Sequence, residues 1–327
     1  MTITDKLILG IDIGGTKIAL CLADTNGTII DSTRVESGTQ TEYEKSRREM
    51  LAAADQLITH NGGKERIGAI GIGAPGPMDV RKGILEKSPN MLWENIPVRD
   101  DVANHFNLPV ALDNDANGGV LAEWFFGAAK DKSSAIYLTM STGIGGGVIV
   151  EDQLLHGRDC LGGELGHIVL DIDGPVCGCG QRGCFEAFCG GANMSRRLQD
   201  VLADQPDHPI MNLPEVNGDY KKLNFQVLRT AVLEGIPLAR EMWDEVCVRT
   251  AQGIGALMMT FNPEIVILGT LAYYSKEMLL DPVRKNLPRF AWKQMREGCD
   301  ITVSALGPKI GELAGVSIAL YSLRKKA

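Results

Sequence analysis

Between Glu164 and Glu186 the sequence gathers one imidazole and three thiols: His167 is followed ten residues later by CGCGQRGC, which supplies Cys177, Cys179 and Cys184. One nitrogen and three sulfurs make a closed tetrahedral zinc set. Such a set leaves no position for an activated water, so the Zn²⁺ it predicts is structural. Gly178, Gly180 and Gly183 lie between the ligands and permit the tight turns needed to bring three sulfurs around one ion. Cys189 falls outside the set and reads as a buried thiol. Glu164 and Glu186 flank the loop, which would hold both in fixed geometry.

Two glycine-rich turns offer a different chemistry. In DIGGTK, Gly14 and Gly15 let backbone N–H groups approach an anion, and Thr16 and Lys17 add a hydroxyl and a cation. Asp12, at the end of the preceding apolar run, is placed to hold the water shell of Mg²⁺. A tight hairpin whose glycines supply positive φ is the alternative reading. The second turn, STGIGGG, spans Ser141 to Gly147; with Thr142 and Gly143 it suits the terminal phosphates of a nucleotide. No G-x-x-x-x-G-K-S/T string occurs, which argues against a P-loop. GIGAPG, Gly71 to Gly76, formally matches a dinucleotide fingerprint, but Pro75 and Pro77 oppose the helix that must follow at once. GAPGPMD fits better as a rigid loop whose backbone, Gly76 included, lines a small-molecule cleft.

ALDNDANGG joins a short expected strand to the helical GVLAEWFFGAA, so Asp113, Asn114, Asp115 and Asn117 cluster where side chains project into a cleft. Asn114 can donate to and accept from sugar hydroxyls. Asp115 can accept the proton of an attacking hydroxyl, as phosphoryl transfer requires. One of the four, Asp113 or Asn114, is expected to cap the helix as well.

The elements that must position these groups alternate in type. LILGIDIG, KIALCLAD and IIDSTRVE read as three strands, residues 41 to 60 as an amphipathic helix, and IGAIGIGAP as a buried strand, the pattern of an α/β lobe. A second strand-and-turn series runs through SAIYLTM, STGIGGG, VIVED and QLLHG. Helices are expected over about 219 to 235 and 237 to 261, a surface loop over 204 to 218, and an amphipathic helix over about 308 to 327. Two lobes follow, 1–117 with the C-terminal helix packed back on it and 118–307 carrying the metal loop. Equivalent turns would face a common cleft.

A chain of 327 residues with 44% hydrophobic content can fill two such lobes. With 33 Lys+Arg against 41 Asp+Glu, a net charge of -8 and no basic run, nucleic acid is not an expected partner. The sequence has neither a signal-peptide pattern nor a membrane-length apolar stretch, and this predicts a cytoplasmic protein. In that reducing compartment clustered cysteines bind metal, and the scattered Cys21, Cys160, Cys247 and Cys299 read as small buried side chains or free thiols.

DIGGTK, APGPMD, NDAN, STGIGGG, GELGH and CGCGQRGCFE, in this order, resemble the ROK family of repressors, open reading frames and sugar kinases. The resemblance implies a two-lobed actin/hexokinase-like (ribonuclease H-like) α/β fold with a cleft between lobes, a homodimer, and an ATP-dependent kinase with Asp115 as catalytic base. It implies sugar contacts from Asn90, Asn114, Glu164, His167 and Glu186, and an adenosine contact at Gly269. ROK repressors carry an N-terminal helix-turn-helix, for which the 11 residues before DIGGTK leave no room, so the kinase branch is expected. CGCGQRGC resembles the glucokinases and N-acetylmannosamine kinases more than the fructokinases, and PNMLW leans toward the glucokinases, which implies transfer to the 6-hydroxyl of glucose; an N-acetylmannosamine kinase is the alternative, and a non-catalytic sugar sensor the rival of another class. Ser141, Cys189 and Thr270 depart from the residues usual in the family at those places.

Overall fold

A computed structural model describes residues 6–38, 42–87 and 92–325. The chain divides into two compact units, Met1–Ser133 with Gly147–Gly163 and Ala305–Ala327, and Ser134–Gly146 with Glu164–Ser304. Among the described residues, ten of the twelve strands fall into two mixed five-stranded sheets.

In the first unit β1 (Leu7–Ile13), β2 (Lys17–Ala23) and β3 (Ile29–Glu36) form an antiparallel meander. Helix α1 (Tyr43–His60) then crosses to β4 (Ile67–Ala74), which lies parallel to β1. A small hairpin of β5 (Met78–Asp79) and β6 (Ile84–Leu85) precedes α2 (Val98–Phe106). Strand β7 (Val110–Asn114) closes the order β3-β2-β1-β4-β7, and α3 (Asp115–Phe126) begins at the next residue. The pleat sends alternate side chains to opposite faces. Leu7, Leu9, Ile11 and Ile13 pack with the apolar stripe of α1 and with Val98, Val102 and Phe106 of α2. Ile8 instead joins Ala122 of α3 and Leu313, Val316 and Ala319 of the C-terminal helix. That helix, α11 (Ile310–Arg324), lies against bare backbone: a Cβ on Gly71 would come within 1.9 Å of the Gly315 carbonyl oxygen. Gly71 of GIGAPG thus serves helix–sheet packing. The first unit extends past 117 to Ser133 because α3, which begins within NDAN, packs with α11.

In the second unit β8 (Ala135–Leu138) precedes the hairpin of β9 (Gly146–Val150) and β10 (Gln153–Leu154), whose residues from Gly147 onward belong to the first unit. The metal loop leads into α4 (Phe185–Cys189) and α5 (Gly191–Leu202), followed by α6 (Phe225–Leu233) and α7 (Pro237–Phe261). Pro237 occupies the first turn of α7, and Asn262 ends it in the left-handed conformation, φ 45°, just before Pro263. Strand β11 (Ile265–Leu268) runs parallel to β8 and to β12 (Asp300–Val303), with α8 (Thr270–Tyr274), α9 (Lys276–Asn286) and α10 (Lys293–Glu297) between β11 and β12.

Two sequence expectations need correction. The helix expected from 219 starts at 225, because the Asn224 side chain accepts the Val227 N–H and caps it there. The stretch 204–218 is not a plain surface loop: Ile210, Met211, Leu213 and Val216 are buried, and Pro209–Asn212 forms a 3-10 turn. No described helix is long and apolar enough to cross a membrane.

Candidate functional site

In the first unit NDAN straddles the end of β7 and the start of α3. Asn114 is the N-cap, its Oδ1 accepting the Ala116 N–H at 2.8 Å. The four polar side chains do not all point outward. Asp113 and Asn117 are buried and bonded to each other at 2.8 Å, whereas Asn114 is partly exposed and Asp115 exposed. Asn114 Nδ2 lies 3.6 Å from where a Gly76 Cβ would be, so the structure brings the GAPGP loop to the cap. Asp12, at the end of β1, packs against the first turn of α11 beside Gly311. Burial pushes the Asp12 carboxyl up to about 7; the Asp115 carboxylate opposes its ionisation further, Lys17 favours it and Glu312 opposes it. Two carboxylates that disfavour each other's charge are what a divalent cation relieves.

The DIGGTK turn is closed by the Gly14 N–H donating to the Lys17 carbonyl at 2.9 Å. Neither Gly14 nor Gly15 adopts a positive φ, and a Cβ on Gly15 would meet nothing within 4 Å. Backbone geometry therefore does not demand a glycine at 15. The open space leaves room for a group to approach the main chain of Gly15 and the exposed Thr16 and Lys17.

The second unit assembles a compact cluster around the metal loop. The ligand atoms of His167, Cys177, Cys179 and Cys184 all lie within 4.8 Å of one another. Cys179 Sγ and Cys184 Sγ are 3.7 Å apart, and Cys177 Sγ is 3.7 Å from His167 Nδ1. A zinc ion with Zn–S of about 2.3 Å and Zn–N of about 2.0 Å sets tetrahedral edges of roughly 3.6 to 3.8 Å, so the donor set fits Zn²⁺. Bound there, the ion would tie the loop together with four protein ligands. Gly180 and Gly183 carry positive φ, 90° and 69°, and shape the turns between the sulfurs. Helix α7 braces the loop through Arg249, whose Nη2 donates to Asp171 Oδ2 at 2.7 Å, and Gln252, whose Nε2 donates to the Leu170 carbonyl at 2.9 Å.

STGIGGG sits against this loop. Ile144 N–H donates to Glu186 Oε2 at 2.8 Å, and a Cβ on Gly143 would lie only 2.3 Å from that oxygen. Glu186 Oε1 is 3.7 Å from Cys177 Sγ, so one carboxylate touches both the turn and a metal ligand. Gly166, inside GELGH, approaches the Ile144 carbonyl so closely that a Cβ would be 2.0 Å away. The first turn of α5 completes the frame: Gly191 and Ala192 N–H groups donate to the Ser141 and Thr142 carbonyls, each at 2.9 Å. Thr142 and Glu164 remain exposed. Glu186, His167, Gly143 and the three cysteines are thus one packed arrangement.

The sequence profile of the ROK family matches residues 8–320. The chain belongs to the ROK family. It is 33% identical over 312 residues to a glucokinase of Thermotoga maritima, across 95% of this chain and 96% of that protein. A xylose repressor of Bacillus subtilis is 31% identical over 315 residues, 95% of this chain and 76% of the repressor. A ROK family glucokinase from Streptomyces griseus, solved in complex with glucose and AMPPNP, is similar in structure with a TM-score of 0.79 and 30% identity, over 96% of this chain and 99% of that one. The α/β two-domain fold expected from the motifs is the one found.

In this ROK protein Asn90 lies outside the described residues. Gly269 precedes α8, where a Cβ would be 2.3 Å from the Tyr137 hydroxyl oxygen, so packing alone calls for glycine. A feature the sequence did not announce is an open pocket of about 310 Å³ at the end of α8, lined by Arg229, Tyr273, Tyr274, Ser275 and Met278 among others. Arg229 Nε and Ser275 Oγ are buried there without a hydrogen-bond partner. Polar atoms left in that state are costly. Nothing in the spacing of Arg229 on an amphipathic helix marks it.

Proposed function

We propose that this ROK protein is an ATP-dependent hexose kinase that transfers the γ-phosphoryl group of Mg-ATP to the 6-hydroxyl of glucose. The carrying observation is that NDAN leaves Asp115 exposed at the start of α3 with Asn114 beside the Gly76 loop, while Asp12, whose charge Asp115 opposes, ends β1 next to the open main chain of Gly15, since a sugar sensor or repressor needs no base. In this reading Asp115 accepts the proton of the attacking hydroxyl and Asp12 holds the magnesium's water shell. Asn114, with its Oδ1 committed to the cap, offers Nδ2 to a sugar hydroxyl; Gly76 and Asn90 are assigned to the sugar as well.

In the second unit, Thr142 and Gly143 take the nucleotide phosphates, and Gly269 is assigned to the adenosine. Glu164, His167 and Glu186 recognise sugar hydroxyls. His167 turns Nδ1 toward the sulfurs, so Nε2 is left for a hydroxyl and zinc would fix both tautomer and orientation. Glucose is favoured because the similar Streptomyces griseus enzyme was solved with glucose and AMPPNP and the Thermotoga maritima relative is a glucokinase. An ATP-consumption screen over glucose, mannose, fructose, allose, N-acetylglucosamine and N-acetylmannosamine tests the reading. Glucose should give the highest kcat/KM; N-acetylmannosamine above glucose would transfer the assignment to the alternative, and no turnover with any sugar would favour the sensor.

A further inference from the structure

Asp113 is the buried member of the strand–helix junction, its side chain only 6% exposed. Its Oδ1 accepts the Asn114 backbone N–H and the Asn117 Nδ2, each at 2.8 Å, so it grips both the last residue of β7 and the first turn of α3. The other oxygen, Oδ2, is 2.6 Å from Nε2 of His156, 43 residues further along the chain. His156 is itself held in place. It follows the β9–β10 hairpin, where the Leu154 N–H donates to the Tyr321 hydroxyl oxygen of α11 at 2.8 Å, and the His156 carbonyl accepts the Gly162 N–H at 2.9 Å. A ring mounted on such a scaffold can fix the orientation of the carboxylate it meets.

We propose that His156 is a positioning residue for phosphoryl transfer, acting through Asp113 to hold Asn114 and Asp115 in their working orientation. The inference rests on the reading of Asp115 as the base. Asn114 Oδ1 and Asp115 Oδ1 share the Ala116 N–H, each at 2.8 Å, so the two side chains are set by the same few backbone atoms that Asp113 anchors. Without His156, Oδ2 becomes a buried carboxylate oxygen lacking its donor, and the carboxylate is drawn to re-aim, loosening its grip on Asn114 and Asn117.

The test compares two amides. His156→Gln places its Nε2 about where the imidazole Nε2 stands, whereas His156→Asn carries the same group but stops short of Asp113. With glucose and Mg-ATP, the Asn variant should lose about tenfold or more in kcat and show a raised glucose KM, a displacement at the junction being enough for that. Its ATP KM should stay within about twofold, and Gln should recover most of the loss. A merely structural role would lower the Tm of both variants and leave the kinetics of folded protein alike; equal kcat and glucose KM in the two overturns the proposal. Should the Asn variant not fold, Asp113→Asn, nearly isosteric, should show the same coupled change in weaker form, and unchanged kinetics there overturns it too. Asp115→Asn is assayed alongside. If it keeps the wild-type rate, the reading of Asp115 fails and the proposal with it; if it is inactive while the two amides behave alike, only the role of His156 fails.

Discussion

Replacing Asp12 by Asn should stabilise the ligand-free protein in a pH-dependent way. The Asp12 carboxyl rises from 3.8 to about 7, first because burial penalises its charged form and next because Asp115 repels it. Its folded-state pKa is raised, so between pH 4 and 7 the folded protein binds more protons than the unfolded chain. Stability therefore falls as pH rises through that window and levels off above it. A shift of about three pH units corresponds to about 4 kcal/mol as an upper bound. Because Asp12 is only partly buried, water screens some of this, and we expect about 2 kcal/mol. Asn carries no charge to penalise, so Asp12→Asn and wild type should be equally stable near pH 4, with the variant ahead by about 2 kcal/mol at pH 8. Urea denaturation in magnesium-free buffer without chelator, which leaves zinc in place, measures the difference while titrations common to both proteins cancel. A difference that does not change between pH 4 and 8, or a variant less stable than wild type at pH 8, would refute the reasoning.

Metal analysis of the purified protein should give about one zinc per chain. Cys179→Ser should lower that content, increase proteolysis within 164–186 and raise the glucose KM more than the ATP KM; unchanged metal content would sink the ligand set.

The strands of the first five-stranded sheet, the two glycine turns and the metal set were legible in the sequence because each rests on local pattern. Alternation places Leu7, Leu9 and Ile11 on one face, and Pro237 and Asn262-Pro263 bound α7 by rules of backbone geometry alone. What local pattern cannot show is which distant residues meet. Asp113 and Asn114 are adjacent and similar, yet one turns inward to His156 while the other caps α3, and nothing in LDNDAN distinguishes them. Gly143 reads as a phosphate-binding glycine, but the space a side chain would need there is taken by the carboxylate of Glu186, 43 residues away. Residues 204–218 read as surface because Pro, Asn and Asp dominate, although four apolar side chains within it reach the interior. Arg229 and Ser275 come together only through tertiary packing.

The central claim is that Asp115 is the base of a glucose-phosphorylating enzyme. Its most direct test is phosphorus NMR of reactions containing glucose and Mg-ATP, run with wild type and with Asp115→Asn, with glucose binding to each followed by calorimetry. The account predicts glucose 6-phosphate and ADP from the wild type, and a kcat lower by roughly 10² to 10⁴ in a variant that still binds glucose. Product formed by the variant within threefold of the wild-type rate, or none formed by wild type, would contradict it.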